Sequence, residues 1–271
     1  MDKEKIAEVK RFYDGGAAQE WVRLDENREE FLLTTYMMDQ YIRPGDKVLD
    51  IGGGPGRYSL YYAQKGCQVT LADLSEGNVT FARAKAAEEG VPLTAHAVNC
   101  LELDSLELGQ FDHVFLMGPL YHLLEEADRV KAVEVAIRHV KPGGKLYVAF
   151  IPTVSGLLYC LQHEKILLEA QTNPEDMLHL AAIEAGRDFG GLGFTQVYSY
   201  ALENILPFME RFPLKRLHFF PQEGCLAPNK MALRQRSPEE REMWLDTAKR
   251  YLERPEFLSW GEHVMYIGEK E

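Results

Sequence analysis

Cysteine is scarce and unpatterned in this chain. Cys67, Cys100, Cys160 and Cys225 form no C-x-x-C pair and complete no metal-ligand set with histidines, which argues against a disulfide scaffold or a zinc module and reads as reduced cytosolic thiols. Positive charge is short as well. Thirty Lys and Arg face 42 Asp and Glu, a net charge of −12, so a long polyanion such as RNA or DNA is repelled overall. The basic residues are scattered, with only minor clusters such as Lys215 with Arg216 and Arg234 with Arg236. Long apolar runs are missing too. The longest uncharged stretch, 146–163, contains Pro152, Thr153, Ser155, Gly156 and Gln162, and so reads as strand, turn and helix start rather than a membrane span. The opening MDKEKIAEVK is charged where a secretory signal needs apolar residues, so the expected location is the cytoplasm. No repeat or low-complexity tract is present.

What is there is ample core material, 46% hydrophobic in 271 residues, arranged as alternating strand and helix patterns. That alternation implies a parallel sheet covered on both faces. Helices are expected over 5–13 and 26–42, then strands at 47–51, 68–72, 94–98, 111–117 and 145–151 with helices at 56–65, 75–89 and 125–140 between them. Ser75 serves as a helix cap and Gly66 and Gly90 as stops. After Pro152 the pattern changes. Residues 153–193 are helical and then rich in glycine, where the basic fold needs a short crossover, and they read as an inserted lid. Strands at 196–200, 215–220 and 263–268 and helices at 202–212 and 238–252 complete the chain. The expectation is one domain over 1–271, made of an N-terminal helical cap (1–46), a core (47–152), the lid (153–193) and the C-terminal part of the sheet (194–271).

The most informative stretch is VLDIGGGPGRYS at 48–59. Val48, Leu49 and Ile51 form an apolar run interrupted by Asp50, and Gly52, Gly53, Gly54, Pro55 and Gly56 follow at once. A strand ending in glycines that open a helix forms a Rossmann crevice, where backbone approaches ligand closely. The dinucleotide fingerprint G-x-G-x-x-G requires glycine where Arg57 stands, and the spacing here is G-x-G-x-G. With the acidic Asp50 two positions before Gly52, the stretch resembles motif I of class I S-adenosylmethionine (SAM) dependent methyltransferases. The ligand explains the difference in spacing: a pyrophosphate needs the amides of a helix start, whereas SAM is a zwitterion with a sulfonium and no phosphate.

The resemblance implies a Rossmann-like, doubly wound α/β fold with a seven-stranded sheet and an antiparallel last strand. In such proteins the residue at the Asp50 position supports the loop and the ammonium end of SAM. Asp73, at the end of the second strand and 21 residues after Gly52, stands where an acidic residue accepts hydrogen bonds from ribose hydroxyls, with Leu74 beside it. Asn99 departs from the acidic residue common at its position. Its side-chain oxygen accepts from the adenine amino group without charge assistance, and Cys100 supplies a backbone N–H. Asn is also a turn residue, so closing a turn is the competing role.

The fourth strand runs through Met117 into Gly118, Pro119, Leu120, Tyr121, His122 and Leu123, resembling a bacterial subset of the family with a G-P-L-Y-H-L turn. This turn lies at the carboxyl end of the strand, where open sheets bind ligands. Met117 is expected against the cofactor, His122 as a base, and Tyr121 orienting the acceptor, because in-line methyl transfer needs alignment, exclusion of water and a proton acceptor. Both rings packing the turn is the plainer alternative. Tyr13 and Arg23 are candidate acceptor or cofactor contacts from the N-terminal cap, while His113, inside the strand, is expected to pack. No metal is implied. The expected activity is methyl transfer from SAM to an oxygen or nitrogen of a small-molecule acceptor by a monomer or homodimer. A SAM-binding regulator or scaffold without transfer activity is the alternative, and an NAD-dependent oxidoreductase is disfavoured by the glycine spacing.

Overall fold

The computed structural model describes residues 3–26 and 28–271. Three helices open the chain, α1 (Lys3–Asp14), α2 (Ala17–Glu26) and α3 (Arg28–Met38), where two were expected; residue 27, within the expected helix 26–42, lies outside the described residues. The alternating part follows as β1 (Lys47–Ile51), α4 (Arg57–Gln64), β2 (Gln68–Asp73), α5 (Glu76–Glu89), β3 (Thr94–Ala97), β4 (Phe111–Leu116), α6 (Glu126–His139) and β5 (Val140–Phe150). Next come α7 (Ser155–Gln162), α8 (Ile166–Ala170), α9 (Pro174–Glu184), β6 (Phe189–Leu192) and β7 (Gln196–Ser199). The chain ends with α10 (Leu202–Met209), β8 (Leu214–Pro221), α11 (Lys230–Leu233), α12 (Pro238–Tyr251) and β9 (Val264–Lys270).

Seven strands form one sheet in the order β3-β2-β1-β4-β5-β9-β8. The strands from β3 to β5 are parallel, and β9 runs antiparallel to both β5 and β8. The order reverses between β1 and β4, which makes the carboxyl ends of these two strands the switch point of the sheet.

Period-two alternation explains why both faces are covered. Leu49, Ile51, Leu116, Val148 and Tyr266 face one way and pack with Val133 and Ala136 of α6 and Ile205 and Met209 of α10. Val48, Phe115, Tyr147 and Met265 face the other, against Leu33 of α3, Tyr62 of α4 and Ala248 of α12. Helix α5 begins as its sequence demands: the Ser75 hydroxyl accepts from the Asn78 amide, and Gly90 closes the helix at φ +68°.

Two differences from the sequence reading matter. β5 begins at Val140 rather than at 145, because the chain leaves α6 straight into a pairing with Phe111 and then shifts register, with Pro142, Gly143 and Gly144 falling inside the strand. The strand at 196–199 is not part of the main sheet but pairs antiparallel with β6 as a separate hairpin. Glycine allows this: a Cβ on Gly190 would lie 3.2 Å from the Tyr198 ring. The hairpin is glued by Phe189 and Val197 against Ala182 of α9, and Tyr121 packs on the same cluster.

Candidate active site

Two loops meet at the switch point. The first follows β1, where Gly52, Gly54 and Gly56 take φ of +72°, +57° and +91°. The second follows β4. Their approach leaves no room for side chains: a Cβ on Gly52 would lie 2.5 Å from Pro119 Cδ, and one on Gly118 would lie 2.9 Å from the Gly52 carbonyl oxygen.

Three amides of the glycine loop are used within the protein. Gly52 N–H donates to the Ala72 carbonyl (2.7 Å), Gly54 N–H to Asp73 Oδ2 (2.9 Å) and Gly56 N–H to the Gly53 carbonyl (3.0 Å). These three donors are turned into the protein and do not converge on a ligand as the amides of a phosphate nest do. Asp50 sits behind it, 2% exposed, accepting from Ser59 Oγ at 2.7 Å. Burial, reinforced by Asp73 and opposed by Ser59, pushes its carboxyl up to about 7. Gly53 is required in front of it, since a Cβ there would fall 2.7 Å from Asp50 Oδ2.

Asp73 holds the loop from the neighbouring strand. Its second oxygen accepts from Ser75 N–H (2.8 Å) and Asn78 Nδ2 (3.2 Å), and burial raises its pKa despite these bonds. Asn78 Oδ1 is buried beside it with no hydrogen-bond partner among the described residues.

A cavity opens over these groups. Gly52, Gly54, Asp73, Leu74 and Asn78 line one side, Val98, Asn99 and Cys100 a second, and Gly118, Pro119, Tyr121 and His122 a third. Its roof is α1 and α2, through Ile6, Val9, Tyr13 and Glu20. Asp50, Gly53, Gly56, Met117 and Arg23 do not line it. Asp50 and Gly53 support the loop from behind, Met117 packs in the core and its carbonyl accepts from Tyr121 OH (3.1 Å), and Arg23 grips Glu20 through Nε (2.9 Å) and Nη2 (2.6 Å). Asn99 has a double position. It lines the cavity while its Oδ1 accepts from Leu101 N–H at 3.0 Å, capping the 3₁₀ turn Cys100–Leu106, and one lone pair of that oxygen is left over. Burial lifts the Cys100 thiol to about 12, so the wall there is a neutral sulfur.

His122 is held at both nitrogens. Nδ1 lies 2.9 Å from the Gln196 carbonyl, which only accepts, so Nδ1 carries the proton and Nε2 accepts from Tyr13 OH at 2.9 Å. Burial pushes the imidazole down to about 4. The histidine expected as the base is therefore a weak base whose lone pair is already engaged, and what it does here is tie α1 to the turn. Gln196 Nε2 also reaches Glu8 Oε2 on α1 (3.0 Å), and Asp14 Oδ1 at the end of α1 accepts from Ser75 Oγ (2.7 Å). Arg129 of α6 fixes the far end of the turn, donating to the Leu123 and Leu124 carbonyls at 2.7 Å each and to Tyr200 OH at 2.9 Å. His113 packs as expected from its place in the strand, between Tyr147 OH (3.0 Å) and Asp46 (3.2 Å).

The lining fits the cofactor implied by the resemblance. Its ionisable groups include three carboxylates, Glu20, Asp73 and Glu125, and one ammonium, Lys5. With three of the loop amides engaged, that excess of carboxylates suits a sulfonium zwitterion with ribose hydroxyls better than a pyrophosphate. The orphaned Asn78 Oδ1 offers a further acceptor for a hydroxyl. Asn78 and Glu20 were not singled out from sequence: the first looks like an ordinary first-turn helix residue, and the second reaches the cavity through a helix packing that periodicity does not specify.

Comparison with known proteins agrees. The family described as a methyltransferase domain matches residues 48–144. The chain is 34% identical over 126 residues to a ubiquinone biosynthesis O-methyltransferase of Pseudomonas aeruginosa (strain LESB58), covering 44% of this chain and 53% of that protein. The chain thus spans about half the length of this curated relative. To the protein of the same name from Bordetella bronchiseptica it is 33% identical over 175 residues, 57% of this chain and 70% of the other. Among solved structures, magnesium protoporphyrin IX methyltransferase from Synechocystis PCC 6803 with bound S-adenosylhomocysteine (SAH) gives a TM-score of 0.58 at 16% identity, over 98% of this chain and 100% of that one. Burkholderia thailandensis 1,6-didemethyltoxoflavin-N1-methyltransferase also gives 0.58, at 15% identity, over 100% and 90%. These two share the fold. Identity at this level along most of the Bordetella protein, on a sheet of this order, places the chain in the class I SAM-dependent methyltransferase family.

Proposed function

We propose that this protein transfers a methyl group from SAM to an oxygen or nitrogen of a small molecule in the roofed crevice. The observation that carries the reading is the glycine loop, three of whose amides are used internally, in a cavity lined by three carboxylates and a single lysine. Bound there, SAM supplies an electrophilic methyl on a positively charged sulfur. Gly52 and Gly54 give it bare backbone, with Asp50 stiffening the loop from behind and Gly53 and Gly56 shaping it. Asp73 receives the ribose hydroxyls, with Leu74 and Asn78 alongside. The remaining lone pair of Asn99 and the backbone at Cys100 meet the adenine edge.

Helix α1 and the β6–β7 hairpin exclude water from the methyl, and Tyr13 and Tyr121 line the approach. Arg23 acts on the acceptor side through Glu20. The turn at 118–123 has the sequence of the G-P-L-Y-H-L subset, and its Tyr121 and His122 border the cavity. In this reading 153–193 serves as a lid within one domain, and the acceptor is small and enclosed rather than a nucleic acid. The names of the curated relatives favour oxygen over nitrogen. Among the described residues no helix is long and apolar enough to cross a membrane. The four cysteines are unpaired, in keeping with a reducing compartment.

The test is SAH formation from SAM with a panel of phenols, carboxylic acids and amines. Conversion with at least one acceptor is expected. Tight SAH binding with no turnover on any of them would favour a regulator.

A further inference from the structure

Beyond Tyr121 lies a second group of ionisable side chains. Glu30 of α3, Glu223 after β8 and His263 before β9 bring their oxygens and Nδ1 within 4.8 Å of one another. Glu223 is fixed: Oε2 accepts from the N–H groups of Glu262 (3.0 Å) and His263 (3.1 Å), and Oε1 accepts from His263 Nδ1 at 2.8 Å. Glu30 Oε2 lies 3.9 Å from the same nitrogen. The carboxylates are nearly closed off, at 4% and 9% side-chain exposure, while the imidazole keeps 18%. Its Nε2 has no hydrogen-bond partner among the described residues. The His263 ring is 6.4 Å from the Tyr121 ring, and Tyr121 is a wall of the cofactor cavity.

Of the histidines bordering this region, His122 has both nitrogens engaged, whereas His263 is oriented by a carboxylate at one nitrogen and open at the other. We propose that His263, held by Glu223, is the catalytic base that takes the proton of an aromatic hydroxyl acceptor bound beside Tyr121, with Glu223 as its positioning residue. This rests on the methyl transfer proposed above and narrows it to phenolic oxygen. As the acceptor oxygen bonds to the methyl carbon, the bond from that carbon to sulfur breaks and the sulfur keeps its electron pair. The hydroxyl proton passes to Nε2 and leaves from there to solvent, so the products are a methyl ether, SAH and one proton.

The surroundings match that task. Burial opposes charging the imidazole, but Glu30 of α3 and Glu223 outweigh it and raise its pKa to about 9, while Arg23 of α2 works the other way. His263 is therefore mostly imidazolium at neutral pH, and its proton-accepting neutral form predominates only above about pH 9, within about one unit of the ordinary value of a phenol, so kcat rises with pH through that value. Glu30 is itself raised by burial, and Glu223 is lowered by His263 against its own desolvation. Tyr58 of α4, Glu262 and Tyr121 are further titratable groups facing the cluster.

The experiment uses the full chain with saturating SAM and catechol as the probe, from pH 6 to 10, with SAH affinity by calorimetry and the His263 titration by NMR. The wild type is expected to methylate catechol. His263→Gln should lose at least a hundredfold in kcat at pH 9.5, where the neutral imidazole predominates, while SAH affinity stays within twofold. Glu223→Gln should move the His263 titration and the pH profile of kcat together toward the ordinary imidazole range, an effect a purely structural role would not produce. If His263→Gln fails to fold, the Glu223→Gln profile decides. A His263→Gln variant that keeps kcat within threefold, a pH profile unmoved by Glu223→Gln, or a wild type that binds SAH yet methylates no catechol would each overturn the proposal. A wild type that does not bind SAH would overturn the cofactor reading and this proposal with it.

Discussion

Asp50→Asn isolates the cost of keeping a carboxyl behind the glycine loop. The side chain is 2% exposed and has one hydrogen-bond donor, Ser59 Oγ. Burial foremost raises its pKa from 3.8 to about 7. A raised carboxyl pKa means that between roughly pH 4 and pH 7 the folded state binds more protons than the unfolded one, so stability falls as pH rises through that window and the loss is complete above it. Three units correspond to roughly 4 kcal/mol, of which about 3 kcal/mol falls between pH 5 and pH 8. Asparagine cannot ionise, so that pH-dependent part disappears in the variant. Its NH2 group brings a desolvation cost of about 1–3 kcal/mol, but this cost is the same at both pH values.

The readout is therefore the melting-temperature difference, variant minus wild type, measured by circular dichroism without ligand at pH 5 and pH 8. It should be more positive at pH 8 by roughly 6–12 °C. Other titrating groups, His263 among them, act equally on both proteins and cancel. Parallel curves would refute the reasoning that Asp50 is an ionised carboxylate held against its desolvation.

Gly52→Ala places a Cβ 2.5 Å from Pro119 at φ +72° and should cost about 2–5 kcal/mol in a denaturant titration, whereas Gly54→Ala, whose Cβ meets no protein atom, should cost only about 1–2 kcal/mol. Equal losses would contradict the close approach of the two loops. Asn99→Leu should weaken SAH by roughly tenfold in calorimetry and Asn99→Asp should match or improve the wild type; an unchanged Kd for Asn99→Leu removes Asn99 from the site. Tyr13→Phe takes away the hydroxyl that bonds His122 Nε2, so SAH dissociation in stopped flow should speed up several-fold. An unchanged rate would mean that α1 does not retain the ligand.

The parts of this fold written locally were legible. β1, the G-x-G-x-G loop, the Ser75 cap and the Gly90 stop depend on neighbouring residues, and so does the expectation of Asp73 at the next strand end. The reversed final strand was legible through the family resemblance, and it is found in β9. Elements set by distant partners were not legible. The strand pattern at 196–199 has the right period for the main sheet, yet its pairing partner is the glycine-rich 189–192, chosen by packing on α9 and Tyr121. His122 shows the same limit at the level of chemistry. Its place at the end of β4 was readable, but the Gln196 carbonyl and Tyr13 hydroxyl that fix its tautomer lie 74 and 109 residues away. Glu30, Glu223 and His263 likewise carry no local signal, because three separate chain segments bring them together.

Calorimetric titration of SAH into the full chain, beside Asp73→Asn, tests the crevice most directly. Both Asp73 oxygens accept hydrogen bonds, from Gly54 on one side and from Ser75 and Asn78 on the other, so an amide satisfies only one side and disturbs the loop. One site with micromolar affinity in the wild type, weakened about a hundredfold in the variant, is the expected result; no heat from the wild type at millimolar SAH would contradict it.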